Sequence, residues 1–445
     1  MNNWFDAEAH VTRAQELYER GRWAEAEAEL RKALSLHPDQ PEWMFNLGLT
    51  LEAAGRDAEA LGAYVRATEL MPEDAQPLLA AAMTAVRLGH DDTAVTWLDR
   101  VIRLDPSIES AHAQLIELHV RNGRHDDAET AFYLAQQWLD ESALCLAAIA
   151  ESLIERDLFD RAAWCLKEAL RLSPNLPNVR SQLGRVFAAT GRSERALQMF
   201  LRELRDDPGN VQTLLDFGDL LAETNRLPEA AEKFRRVLEL EPANPEAHFR
   251  LGEIALKTNR LEQAHVEFEL VQKLDPEYPD VLVRLAETHL RRRRPKPARE
   301  CLDQFLRQSH LDDHSCNQPE WLKLGRLLIE ADMPRDAAAL LQRAQRELPG
   351  DAAILRQLAL AWYRAGDSRR GAAVSRRVVR IDPACVESIH NLALASLERG
   401  APRVAAAWIR RGLRRAPHDE GLRRLRIRVI SIIISGWLSG RFRRR

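Results

Sequence analysis

The residues best able to do chemistry in this chain are its five cysteines and thirteen histidines. Cys301, His310, Asp312, Asp313, His314 and Cys316 fall in one short stretch. His310 and His314 are four apart, a spacing that could share a helix face and offer nitrogen ligands to a transition metal. The set matches no zinc signature, so polar residues of an exposed loop are expected there, with no metal and no other cofactor. The five cysteines are an odd number with no CxxC pair, which points to reduced thiols rather than a disulfide framework. Cys145 and Cys165 fall at alanine-like packing positions and are expected to be buried and inert. No GxxxxGK loop, GxGxxG turn, HExxH helix or GxSxG elbow is present, so no catalytic activity is expected.

The elements carrying these residues repeat. Prolines recur at Pro38, Pro72, Pro106, Pro174, Pro208, Pro242 and Pro276, 34 residues apart or twice that, with a beat skipped at Asp140. The spacing then slips by five and resumes at Pro349, Pro383 and Pro417. Twelve repeats fill residues 7–419. Counting Pro41 as position one of the second repeat, a turn glycine sits at position fifteen: Gly21, Gly55, Gly89, Gly123, Gly191, Gly366 and Gly400. Asn225 and Asn259 take that place in two repeats, and asparagine also tolerates a left-handed backbone. Alanine follows at position twenty, as in Ala26, Ala60 and Ala196, though the eleventh repeat has Gly371. A large residue follows at position twenty-four, as in Tyr64, Phe200, Phe234 and Phe268. A Leu-Gly or Phe-Gly pair marks the first helix at Gly48, Gly184, Gly218, Gly252 and Gly325. Each repeat therefore reads as two amphipathic helices joined by a tight turn, neither able to bury its apolar face alone.

Period and columns together resemble the tetratricopeptide repeat over about nine-tenths of the chain. The resemblance implies an all-α, right-handed superhelical solenoid of helix-turn-helix repeats whose first helices line a concave groove. It also implies a non-enzymatic scaffold that binds peptides or helices of partner proteins. Some members grip a partner's C-terminal carboxylates with Lys and Asn. Val11, Gln15, Gln76 and Ala80 stand at those places here, and Asn46 alone echoes the pattern. The expected division is an array over 1–312, an insertion loop and hinge at 313–317, an array over 318–419 and a basic, apolar C-terminal helix over 420–445. Trp4 and Phe5 are expected to cap the open face of the first repeat.

Charge separates the two ends. Residues 1–280 carry 50 Asp and Glu against 30 Lys and Arg, whereas residues 281–445 carry 17 against 34. On the first helices, positions five and nine should face the groove. Position nine includes Leu49, Met83, Glu117, Glu151, Asp219, Glu253 and Glu287; position five includes Phe45, Leu79 and Phe249. This pattern predicts a groove for a peptide with basic and apolar residues. A merely solvated glutamate-rich face would read the same. At the other end, Arg376, Arg377, Arg380, Arg410, Arg411, Arg414 and Arg415 form a basic surface leading into the tail. An anionic membrane surface, head-to-tail self-association through the acidic half, nucleic acid and a plain solvated ridge all fit it, nucleic acid being disfavoured for want of a reading motif. The N-terminus shows no secretory signal, and no stretch is apolar enough to cross a bilayer, so a cytoplasmic protein is expected, with peripheral membrane attachment as the alternative. A regulatory or recruiting subunit of a larger assembly is the rival role.

Overall fold

The computed structural model describes residues 2–308 and 318–442. They form twenty-five α-helices and, among the described residues, no strand; the helices run from α1 (Asn2–Glu19) to α25 (Glu420–Phe442). The insertion at 309–317, with His310, Asp312, Asp313, His314 and Cys316, lies outside them, as do the side chains of Trp437, Leu438 and Phe442. Two compact units are present, Met1–Lys233 and Phe234–Arg445. Within each, successive helix pairs stack as a solenoid, so each repeat rests mainly on its neighbours.

A left-handed residue closes every first helix. The expected glycines and Asn225 and Asn259 all have positive φ. Asp157, Arg293 and Asp332 complete the series at φ 57°, 58° and 58°. The turn geometry thus holds where its preferred residue is missing, although a left-handed L-residue costs roughly 1 kcal/mol. Arg293 lies inside the basic run that replaces the turn glycine of the ninth repeat. First helices open on side-chain caps where the sequence supplies them: Ser142 accepts from the Cys145 N–H, Asn210 from Thr213 and Asp351 from Ala353 and Ile354.

The glycine and aromatic columns explain each other. A Cβ on Gly48 in α3 (Pro41–Ala53) would stand 2.4 Å from the Tyr64 ring of α4 (Asp57–Leu70). The same clash would arise at Gly184 against Phe200 (2.7 Å) and at Gly252 against Phe268 (2.6 Å). Glycine at position eight lets the ring of position twenty-four lie flat against the first helix, and these rings are almost wholly buried. The eleventh repeat inverts the arrangement. Ser375 occupies the ring position, and Tyr363 of α21 (Ala352–Arg364) fills the space instead, 2.8 Å from where a Gly371 Cβ would be. The Tyr363 and Ser375 hydroxyls are hydrogen-bonded at 3.3 Å.

Three local expectations can be placed. Trp4 lies 5.5 Å from Trp43 and 5.2 Å from His37, and both Trp4 and Phe5 are exposed. Around the insertion, Trp321 of α19 (Gln318–Glu330) is fully buried in one core with Ala298 and Leu302 of α18 (Pro295–Gln308), so apolar packing continues across it. Cys145 and Cys165 are buried free thiols, each pushed up to about 11 by loss of hydration.

Candidate partner-binding faces

In the N-terminal unit the candidate face comprises α3, α5 (Ala75–Arg87), α7 (Glu109–Arg121) and α9 (Ala143–Glu155). Phe45, Leu49, Leu79 and Met83 are each half-buried, so they support the packing yet still present apolar surface. Phe45 leans on the Tyr64 ring at 5.6 Å. A notch of about 250 Å³ opens beside Leu49, between Val11, Gln15, Tyr18 and Asn46.

The carboxylates along position nine are not equivalent. Glu151 accepts two hydrogen bonds from Arg185 of α11 (Val179–Ala189), at 2.7 and 3.0 Å, and one from Gln182 at 3.3 Å. Glu117 has no cation within ion-pair distance among the described residues and accepts only from Gln114, at 3.1 Å. Water reaches Glu117, but surrounding protein strips part of its hydration and pushes its carboxyl up. Asp219 is half-buried on α13 (Val211–Glu223).

In the C-terminal unit the row is compensated. Glu253 of α15 (Pro245–Lys257) pairs with Arg284 at 2.5 Å and Arg250 at 3.3 Å. Glu287 of α17 (Val281–Arg291) is buried and meets Arg291 at 2.7 Å, Lys323 at 3.2 Å and Arg284 at 3.4 Å. These cations hold its carboxyl below the ordinary value despite burial. Phe249 is also buried, against Phe268 and Tyr278. A geometric rule covers these pairs: a position-nine carboxylate meets position six of the next repeat. Gln182, Arg284 and Lys323 hold that position, whereas Ala148 holds it opposite Glu117. Sequence reading missed Arg284 and Lys323 as partners, although counting from one first helix to the next would have found them.

The tetratricopeptide repeat pattern matches residues 11–76, 79–140, 148–211, 215–279 and 322–385, well over half the chain. The chain belongs to the tetratricopeptide repeat family. Similar proteins include the peroxisomal targeting signal receptor of Saccharomyces cerevisiae, 24% identical over 42% of this chain and 32% of that protein. Protein NPGR1 of Arabidopsis thaliana is 29% identical over 31% of the chain and 20% of its own length. The cytochrome c-type biogenesis protein CycH of Rhizobium meliloti is 48% identical over 12% of the chain and 14% of its own. The chain thus spans less than a third of the first two relatives' length. Among solved structures, yeast Tom70 aligns at 16% identity over 98% of this chain and 96% of that one, with a TM-score of 0.39. Cut9-Hcn1 aligns at 15% identity over 95% and 96%, with a TM-score of 0.40.

The last tetratricopeptide repeats present a different face. Arg356, Gln357, Leu360, His390 and Asn391 line a cleft of about 610 Å³ between α21, α23 (Val386–Glu398) and the start of α25. On the second helices, α22 (Ser368–Ile381) and α24 (Pro402–Arg415), Arg376, Arg377, Arg380, Arg410, Arg411, Arg414 and Arg415 are all exposed. Arg411 stacks on Trp408 at 5.6 Å. The described ion pairs in this region are Arg370 with Asp367 and Arg424 with Glu420, which leave the ridge uncompensated. No group of three or more His, Cys, Asp or Glu among the described residues could hold a metal. One surface feature was not foreseen. Tyr133, Trp138 and Trp164 are each more than half exposed near the skipped proline, where the chain leaves α8 (His125–Ala135) early.

Proposed function

We propose that the protein is a non-enzymatic interaction scaffold whose N-terminal unit captures a segment of a partner protein rich in apolar and basic residues. The observation that carries this reading is Glu117: an exposed carboxylate with no ion-pair partner among the described residues, at the end of a half-buried apolar row. A lysine or arginine from a partner would supply the charge that the neighbouring repeats provide internally. Phe45, Leu49, Leu79 and Met83 would bury apolar side chains of the same segment, so affinity is spread over several repeats. The compensated carboxylates Glu151, Glu253 and Glu287 position their own arginines and lysines and take a lesser part. The yeast relative is, by name, a receptor for a targeting signal, and capture of a short protein segment is consistent with that description.

Fluorescence anisotropy with a labelled peptide alternating leucine and lysine tests the reading. Glu117→Gln should weaken binding about tenfold, as loss of one charge-assisted contact does. Glu253→Gln should change it by less than about twofold. Equal binding by wild type and Glu117→Gln would sink the proposal.

A further inference from the structure

Helix α25 occupies the place of a first helix, and among the described residues no second helix packs on it. Leu422, Leu425 and Val429 are buried against Ile389, Ala405 and Ile409, and Ile433 packs beside them. The approach is close: a Cβ on Gly412 would meet Leu422 at 2.5 Å. In other repeats, positions eight and eleven lie beneath the repeat's own second helix, as Gly48 and Leu51 do in α3. In α25 those positions are Ile427 and Ile430, 69% and 48% exposed. Ile434, one turn further along the same stripe, is 52% exposed. The exposed arginines Arg423 and Arg426 stand at positions four and seven, with Arg424 and Arg428 on the far flank.

The residue types decide what can cover this stripe. A repeat-like second helix would bury position seven, which is apolar from the second repeat to the twelfth, as at Leu47, Leu115, Leu183 and Leu251, and is Arg426 here. A nucleic-acid backbone would satisfy the arginines and leave three isoleucines in water. An anionic bilayer surface satisfies both: the isoleucines enter the acyl boundary and the flanking guanidinium groups meet phosphate or carboxylate headgroups. No described helix is long and apolar enough to cross a membrane, so the helix would lie in the plane of the surface. The uncompensated arginines of α22 and α24 add long-range attraction to the same charge.

We propose that α25 is an in-plane membrane-docking helix that buries Ile427, Ile430 and Ile434 in an anionic lipid surface while its opposite face closes the repeat stack. This surface is separate from the Glu117 face, so the two readings stand or fall independently. Co-sedimentation of the full chain with phosphatidylcholine–phosphatidylserine vesicles tests it, with pure phosphatidylcholine as comparison. Binding is expected to the mixed vesicles, to weaken as salt rises, and to be much weaker on pure phosphatidylcholine. The triple variant Ile427→Ser, Ile430→Ser, Ile434→Ser should reduce partitioning about tenfold or more. Arg426→Glu with Arg428→Glu, an independent variant at exposed positions, should do the same through charge. Circular dichroism of both should match wild type. No binding to mixed vesicles, or undiminished binding by a folded triple variant, would overturn the proposal. So would tight, salt-sensitive binding of duplex DNA by a protein that ignores both vesicle types.

Discussion

The first-helix faces of α3–α7 and of α21–α25 are built on one scaffold and carry opposite chemistry. In the first, positions five and nine are Phe45, Leu49, Leu79, Met83, Ala113 and Glu117. In the second they are Arg356, Leu360, His390, Leu394, Arg424 and Arg428. The buried columns differ less: Ala60 and Ala405 are fully buried, as are Leu98 and Ile409, with Gly371 and Ser375 of the eleventh repeat the exception. Packing fixes the columns that touch the next helix and leaves those facing outward free to change sign. A family defined by its packing therefore tells little about what any one member binds.

The comparison can be broken first where the two units should agree. Phe200→Ala and Phe268→Ala remove fully buried rings in the N- and C-terminal units, and each should cost roughly 3–5 kcal/mol in its own unit. Denaturant unfolding checks this, and a large difference would mean the units do not share a core design. Gly184→Ala and Gly252→Ala should cost about 1–3 kcal/mol each by pushing those same rings outward.

The units should then diverge in pH response. A cation bound at Glu117 would draw down a carboxyl that now sits above its ordinary value. Capture of the leucine–lysine peptide should weaken as pH falls into the acidic range, and Glu117→Gln should flatten that part of the profile. In the C-terminal unit, His265 of α16 (Leu261–Leu274) and His289 of α17 have ring centroids 4.9 Å apart. Burial lowers both, with smaller contributions from nearby charges; Arg292 and Arg294 lower them further, and Glu269 opposes. The unfolded chain takes up these protons first, so stability is full above about pH 6.5 and falls as pH drops below it. Thermal melts of His289→Gln should show a weaker loss over that window. Smallest of all, Leu360→Ser on the exposed C-terminal face should change stability by less than about 0.5 kcal/mol.

Much of the scaffold could be read before any coordinates. Spacing alone located the turns, and the pairing of Gly48 with Tyr64 or Gly184 with Phe200 is visible as two columns of one period. Arg293 shows the limit: aspartate, as at Asp157 and Asp332, is disposed to a left-handed backbone, but arginine is not, and its place in the period alone marks it. Tyr363 was hidden for another reason, since it fills from the first helix a space that every other column suggested would be filled from the second. For the binding face, residue type marked Glu117, Glu151, Glu253 and Glu287 alike. What separates them is the side chain one repeat further on, a relation between helices that reading one face at a time does not expose.

The exchange among Tyr363, Gly371 and Ser375 lies wholly inside the eleventh repeat. A gene that duplicated, deleted or transplanted that 34-residue cassette would carry the irregularity and its remedy together. The contact of Gly412 with Leu422 joins the twelfth repeat to α25 and has no such independence. Lengthening the array by recombination is therefore easier inside it than at its C-terminal helix.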